Sequence, residues 1–122
     1  MPTALLAGAA LALTTLTAPG AQAGEIDAAA CSWTVSTPGK SGSYVRSTAT
    51  TAGCSGSSRW HAVLQWRNFL GGWTNLDEAS WSGNTSVSLT YVCTPGETET
   101  YRGIIDRSDG QSKISLTRTI TC

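Results

Sequence analysis

The sequence predicts an all-β fold, a small antiparallel sandwich of about seven to eight short strands held by two disulfides. Three observations predict it. Turn-forming residues recur about every 8–12 positions, at 37–42, 53–58, 68–72, 82–84, 94–96 and 108–110, separated by runs rich in Thr, Val, Ile, Tyr and Trp. Within those runs apolar residues alternate with polar ones, the period of a half-buried strand, and no stretch after residue 23 sustains the helical period. Finally, four cysteines in a 122-residue chain supply the covalent staples that so thin a core benefits from.

In chain order, residues 1–23 carry no charged side chain, include the apolar run 4–13, and end in Ala21-Gln22-Ala23. This is the pattern of a secretory signal peptide with an A-x-A cleavage site. The run falls short of the roughly 20 apolar residues that span a bilayer, so no membrane span is expected and the product is expected to be extracellular. Residues 24–30 form a short flexible segment ahead of the sandwich domain, 31–122.

The first strand is expected over 31–37, with Cys31, Trp33 and Val35 on one face, and the second over 44–52, where Thr and Ser dominate. Residues 59–67 place Trp60, Ala62, Leu64 and Trp66 on the core face, and 72–81 read as one interrupted strand. Val87, Leu89, Tyr91 and Cys93 share a face over 85–93, as do Tyr101, Gly103 and Ile105 over 98–106. The last strand, 112–122, aligns Ile114, Leu116, Ile120 and Cys122, with Arg118 out of place among them. Arg118 therefore needs a carboxylate partner or a position where its head reaches water.

An exported chain meets oxidising conditions, and Cys31, Cys54, Cys93 and Cys122 are spaced by 23, 39 and 29 residues, with no C-x-x-C pair to suggest zinc. Strands that alternate in direction put Cys31 and Cys54 at one end of the sandwich and Cys93 and Cys122 at the other. Among the three possible connectivities, parity favours Cys31–Cys54 with Cys93–Cys122.

Several function classes are unfavoured by composition and motif. Eight Lys+Arg balance eight Asp+Glu, so the chain lacks the basic excess of a general nucleic-acid or acidic-membrane binder. His61 is the single imidazole, on the face opposite Trp60 and Trp66, with no G-x-S-x-G elbow to complete a triad. Of the acids, Asp77 and Glu78 should face opposite sides of a strand and Glu97 and Glu99 the same side, both pairs at turns, and a domain of this size is expected to lack material for the walls of a glycosidase cleft. Asp106-Arg107-Ser108-Asp109-Gly110 puts acids in a turn but misses the ligand series of an EF-hand, and a hairpin turn is the simpler reading. No catalytic residue, metal or cofactor is assigned.

Cys54, Trp66 and Tyr91-x-Cys93 imitate the cysteine, tryptophan and tyrosine corner of an antibody domain, yet 39 residues between the cysteines are too few for that topology. An immunoglobulin-like sandwich remains as architecture. Through Cys54, Gly71-Gly72-Trp73, Cys93, Thr100-Tyr101-Arg102, Gly110 and Cys122, the chain resembles the small exported disulfide-bonded β-sandwich proteins of actinobacteria, a group mostly without assigned activity. It is also similar in scale and disulfide count to the α-amylase inhibitors exported by streptomycetes, but their Trp-Arg-Tyr triplet is absent, since Asn68 follows Trp66-Arg67.

Five tryptophans exceed what the core requires. Trp33, Trp60 and Trp66 belong inside, whereas Trp73 and Trp81 lie near turns, where they either cap the sandwich or offer rigid area to a ligand. Trp73, Trp81 and Arg102 are the candidate ligand-binding residues. The function expected is a non-enzymatic extracellular module that recognises a protein or a glycan and acts as a monomer. The alternatives are an inhibitor of a secreted hydrolase and a small adaptor subunit of a secreted toxin assembly.

Overall fold

The computed structural model describes residues 31–122; the expected signal peptide, 1–23, and the segment 24–30 lie outside the described residues. Nine strands follow one another: β1 Ser32–Val35, β2 Gly39–Ser41, β3 Tyr44–Ala52, β4 Arg59–Arg67, β5 Trp73–Ser82, β6 Ser86–Val92, β7 Thr98–Arg107, β8 Ser112–Ile114 and β9 Arg118–Thr121. All pair antiparallel in two sheets. In the first, β1 and β2 lie in tandem along one edge of β3, with β6 on its other edge. In the second the order is β5-β4-β7, with β8 and β9 in tandem along the outer edge of β7. Among the described residues there is no helix, and hence none long and apolar enough to cross a membrane.

The count exceeds the seven to eight strands that the sequence predicts because Gly39–Ser41, inside the turn expected at 37–42, resumes the edge begun by β1, and because the last expected strand is broken. The two breaks use the same device. At Ser36 the hydroxyl accepts the Thr48 N–H at 2.8 Å, and at Ser115 the hydroxyl accepts the Gly103 N–H at 2.8 Å. A side-chain oxygen thus takes the place of a ladder carbonyl and lets the strand restart out of phase. Pro38, which has no N–H to give, follows the first break and is fully buried.

The second break corrects one expectation. Ile104 pairs with Ile114, but Tyr101 pairs with Arg118, so one extra residue separates the two registers and the alternation flips. Ile120 is buried as predicted, whereas Ile114 and Leu116 are 56% and 78% exposed, not on the core face. Arg118 reaches water, one of its two expected fates.

The remaining faces follow the alternation. Trp33, Val45 and Ala49 with Leu89 from the first sheet meet Trp60, Ala62, Leu64, Tyr101 and Ile105 from the second, and Ile120 closes the side. Cys31–Cys54 ties the start of β1 to the end of β3, and Cys93–Cys122 joins the end of β6 to the end of β9 across the two sheets. In the chain-entropy view each loop closure is worth about 3 kcal/mol. Two disulfides are typical of extracellular proteins. Polar clips supplement them: the Asp77 carboxylate accepts the Thr90 N–H at 2.9 Å, and the Trp81 indole N–H reaches the buried Thr51 hydroxyl at 3.1 Å. The sheets approach closely at Gly103, where an added Cβ would lie 2.6 Å from Ser47 Oγ and 2.7 Å from Val35 Cγ2.

Candidate functional site

The outward positions of the second sheet converge on one feature. On β4 the residues opposite the core are Arg59, His61, Val63, Gln65 and Arg67; on β7 they are Arg102, Ile104 and Asp106. On β5 the alternation would turn Trp73 and Asn75 inward, in step with Ala79 and Asp77. A register shift between Leu64 and Gln65 prevents this. Leu64 pairs with Asp77 but Gln65 with Asn75, so Leu76 is an extra residue, and Trp73 and Asn75 point outward. Re-aiming a side chain is a typical consequence of such a bulge.

The re-aimed residues complete a continuous band. Arg102 stacks its guanidinium 4.0 Å from the centre of the Trp73 ring, and Arg67 lies 5.5 Å from it. Arg102 Nε–H donates to Gln65 Oε1 at 2.8 Å, and Gln65 Nε2–H to Asn75 Oδ1 at 2.7 Å. Asn75 then reaches Glu78, whose other carboxylate oxygen meets His61 Nε2 at 2.9 Å. His61 Nδ1 lies 3.5 Å from Asp106, and the Ser112 hydroxyl donates to that same carboxylate. Beneath the band runs an apolar row, Val63, Ile104 and Ile114, in which Val63 is buried although it is on the outer face.

Burial foremost, with the Arg67 charge second, pulls the Arg102 guanidinium below the ordinary arginine value. It still carries its charge, since guanidinium groups do not deprotonate in proteins. The histidine sits between two carboxylates on opposite sides of its ring, and it can donate to both only as an imidazolium. Ser112 is turned to Asp106 and not to the ring, so these groups do not form a nucleophile–base pair. Among the described residues every cysteine is bridged, and no group of three His, Cys, Asp or Glu is placed to hold a metal ion.

The band ends in a cleft of about 430 Å³ formed by Arg59–His61, Ser80–Ser82 and Asp106–Ser108. Trp60 and Trp81 both line it, and the Trp60 indole N–H is buried without a protein acceptor. Of the sequence candidates, Trp73 and Arg102 are thus brought together. Trp81 lies at the far end of β5, half-buried, with its N–H committed to Thr51 and its ring packed against the core.

Asp77 and Glu78 do face opposite sides, one clipping β6 and the other holding His61. The 106–110 segment is a hairpin turn: the Arg107 guanidinium, bonded at 2.9–3.0 Å, together with the Gln111 N–H holds the Asp109 carboxyl below the usual carboxylate range. Gln65, Asn75 and Ser112 were not anticipated as site residues, and His61 reads in sequence as a lone surface histidine. The outward parity of β4, which places His61 opposite Trp60, is the signal by which Gln65 could have been found, but nothing in 73–82 marks Leu76 as the extra residue.

No protein-family model matches this chain, and no curated protein or solved structure matches it either.

Proposed function

We propose that the protein is a non-enzymatic extracellular binding module that recognises a glycan through the outer face of its five-stranded second sheet. The observation that carries this reading is the band of planar hydrogen-bonding groups, Arg102, Gln65, Asn75, Glu78, His61 and Asp106, laid across three rigid strands and ending on Trp73. Such groups offer paired donors and acceptors to neighbouring hydroxyls. Because each is already oriented by the next, little side-chain entropy is lost when a ligand arrives. The apolar row below suits the C–H face of a sugar ring, and a site on strands is positioned more firmly than one on loops.

Tryptophan fluorescence and calorimetric titration against a panel of soluble polysaccharides test the reading. Binding by one class, weakened about tenfold or more in Arg102→Ala and in Gln65→Ala and unchanged in Thr48→Ala on the other sheet, is expected. Absence of binding across the panel at millimolar sugar, or binding indifferent to both band variants, would overturn it. A stoichiometric protein partner lost in Arg102→Ala would move the assignment to the inhibitor or adaptor class.

A further inference from the structure

Beside the band, at the end of the molecule that carries Cys93–Cys122, the β4–β5 connection displays two large apolar side chains to solvent. Phe69 is 96% exposed and Leu70 82% exposed. They do not sit on a slack loop. The Asn68 side chain accepts the N–H of Leu70 at 3.1 Å and of Gly72 at 3.0 Å, and it donates to the Thr74 hydroxyl at 3.1 Å. Two backbone bonds, Asn68 N–H to Gly72 O and Gly71 N–H to Asn68 O, close the turn, with Gly71 at a φ of 86°. Exposed apolar groups held this firmly lose little entropy on docking, which is the property of an anchor.

At the base of the same hairpin lies a second cleft, of about 570 Å³, with Trp66, Phe69, Thr98 and Thr119 among its walls. Arg67 and Glu99 also line it, opposite charges that form no ion pair with each other. Tip and cleft share one surface that also carries a charge of each sign, the elements an isologous pairing uses: tip against the other copy's cleft and Arg67 against the other copy's Glu99. A formal net charge of zero adds no repulsion between copies.

We propose that this hairpin end is a self-association surface on which two copies of the chain pair isologously, Phe69 and Leu70 of each entering the cleft of the other. This goes beyond the monomer that the sequence suggests. It does not rest on the glycan reading: neither Gln65 nor Arg102 is required for it, and only Arg67, beside Trp73, is shared with the band. A lipid surface is the less suited occupant, since two side chains with no basic excess around them fall short of the two signals that stable membrane attachment takes. An aromatic buries about 150–250 Å². Two tips with their clefts reach roughly the 1,000 Å² at which an interface becomes specific, which puts the pair at the small end of specific interfaces.

Sedimentation equilibrium of the oxidised chain between 1 µM and 1 mM is the test. Dimerisation weakened about 20-fold or more by Phe69→Ser with Leu70→Ser, and about fivefold by Arg67→Glu or Glu99→Arg alone but restored to within about twofold in the double exchange, supports the proposal. These side chains lie outside the core, and an unchanged melting temperature verifies that each variant folds. A chain monomeric at 1 mM, a dimer indifferent to the tip substitutions, or a double exchange no better than the singles would each overturn it. So would Phe69-dependent binding to phosphatidylcholine vesicles by a chain that remains monomeric.

Discussion

Replacing Gly103 by alanine tests how tightly the two sheets meet. Gly103 lies on the core face of β7 opposite Leu64, and its φ is not in the left-handed region, so any cost is steric. The new Cβ would come 2.7 Å from Val35 Cγ2, where carbon atoms prefer about 3.5–4.0 Å. It would also come 2.6 Å from Ser47 Oγ, which is fully buried and held by its bond to Ser36 O at 2.7 Å. Ser47 is held by that bond, so either Val35 leaves its rotamer or the sheets part by close to an ångström. Overpacking of this kind costs about 1–3 kcal/mol, offset by about 0.4–1 kcal/mol from the reduced freedom of the unfolded chain. The expected net loss is about 1–2 kcal/mol, or about 4–16 °C in melting temperature for a domain of this size. Thermal unfolding with the disulfides intact measures it. Val35→Ala in the same chain should return at least about 0.5 kcal/mol, giving a coupling between the two sites in a double-mutant cycle. A Gly103→Ala protein as stable as the parent, or one whose loss is not relieved by trimming Val35, would refute the close approach.

Tyr101 is fully buried and its hydroxyl has no protein hydrogen-bond partner, so Tyr101→Phe should leave stability unchanged or raise it by about 1 kcal/mol; a clear loss in urea unfolding would contradict this. Burial first, then the charges of Glu97, Tyr91 and Glu99, pushes the Tyr101 phenol up to about 12. The folded state then keeps a proton that the unfolded chain releases above pH 10. Stability should therefore be intact below pH 10 and fall by about 3 kcal/mol toward pH 12, a decline that Tyr101→Phe reduces, leaving the part due to Tyr91, whose phenol burial also pushes up. Leu116→Ser should change stability by less than about 0.5 kcal/mol, whereas Ile120→Ala should cost about 2–5 kcal/mol; equal effects in denaturant titration would restore the uninterrupted last strand. Removing Cys93–Cys122 by double alanine substitution should cost about 3 kcal/mol, read as a lower midpoint in guanidinium chloride; an unaltered midpoint would deny that bridge a stabilising role.

What the sequence revealed, and what it concealed, divides along one physical line. Strict alternation is legible, so the core faces of β4, β6 and β7 and the parity that pairs the cysteines were all predictable. Phase changes are not. Leu76 in β5 and Ser115 between β8 and β9 are ordinary residues for a strand, yet each shifts the register by one, and these shifts decide that Trp73 faces outward and Leu116 faces water. Both depend on partners distant in the chain: Gln65 meets Asn75 rather than Leu76, and Gly103 meets the Ser115 hydroxyl. The band was hidden for the same reason, since its members come from three strands and only β4 and β7 could be phased from sequence.

The broken outer strands have a consequence for crowded solutions. An exposed strand edge is a template on which another chain can add, and repeated addition gives fibres. Here one side of the sandwich offers only β1, β2, β8 and β9, none longer than four residues and each pair out of phase across its break. On the opposite side β5 and β6 are longer, but Asp77 turns its charge inward from one and occupies the Thr90 N–H of the other. A neighbouring strand would have to displace that carboxylate before it could pair. The molecule is thereby built to resist open-ended polymerisation while leaving closed pairing through its hairpin unimpeded.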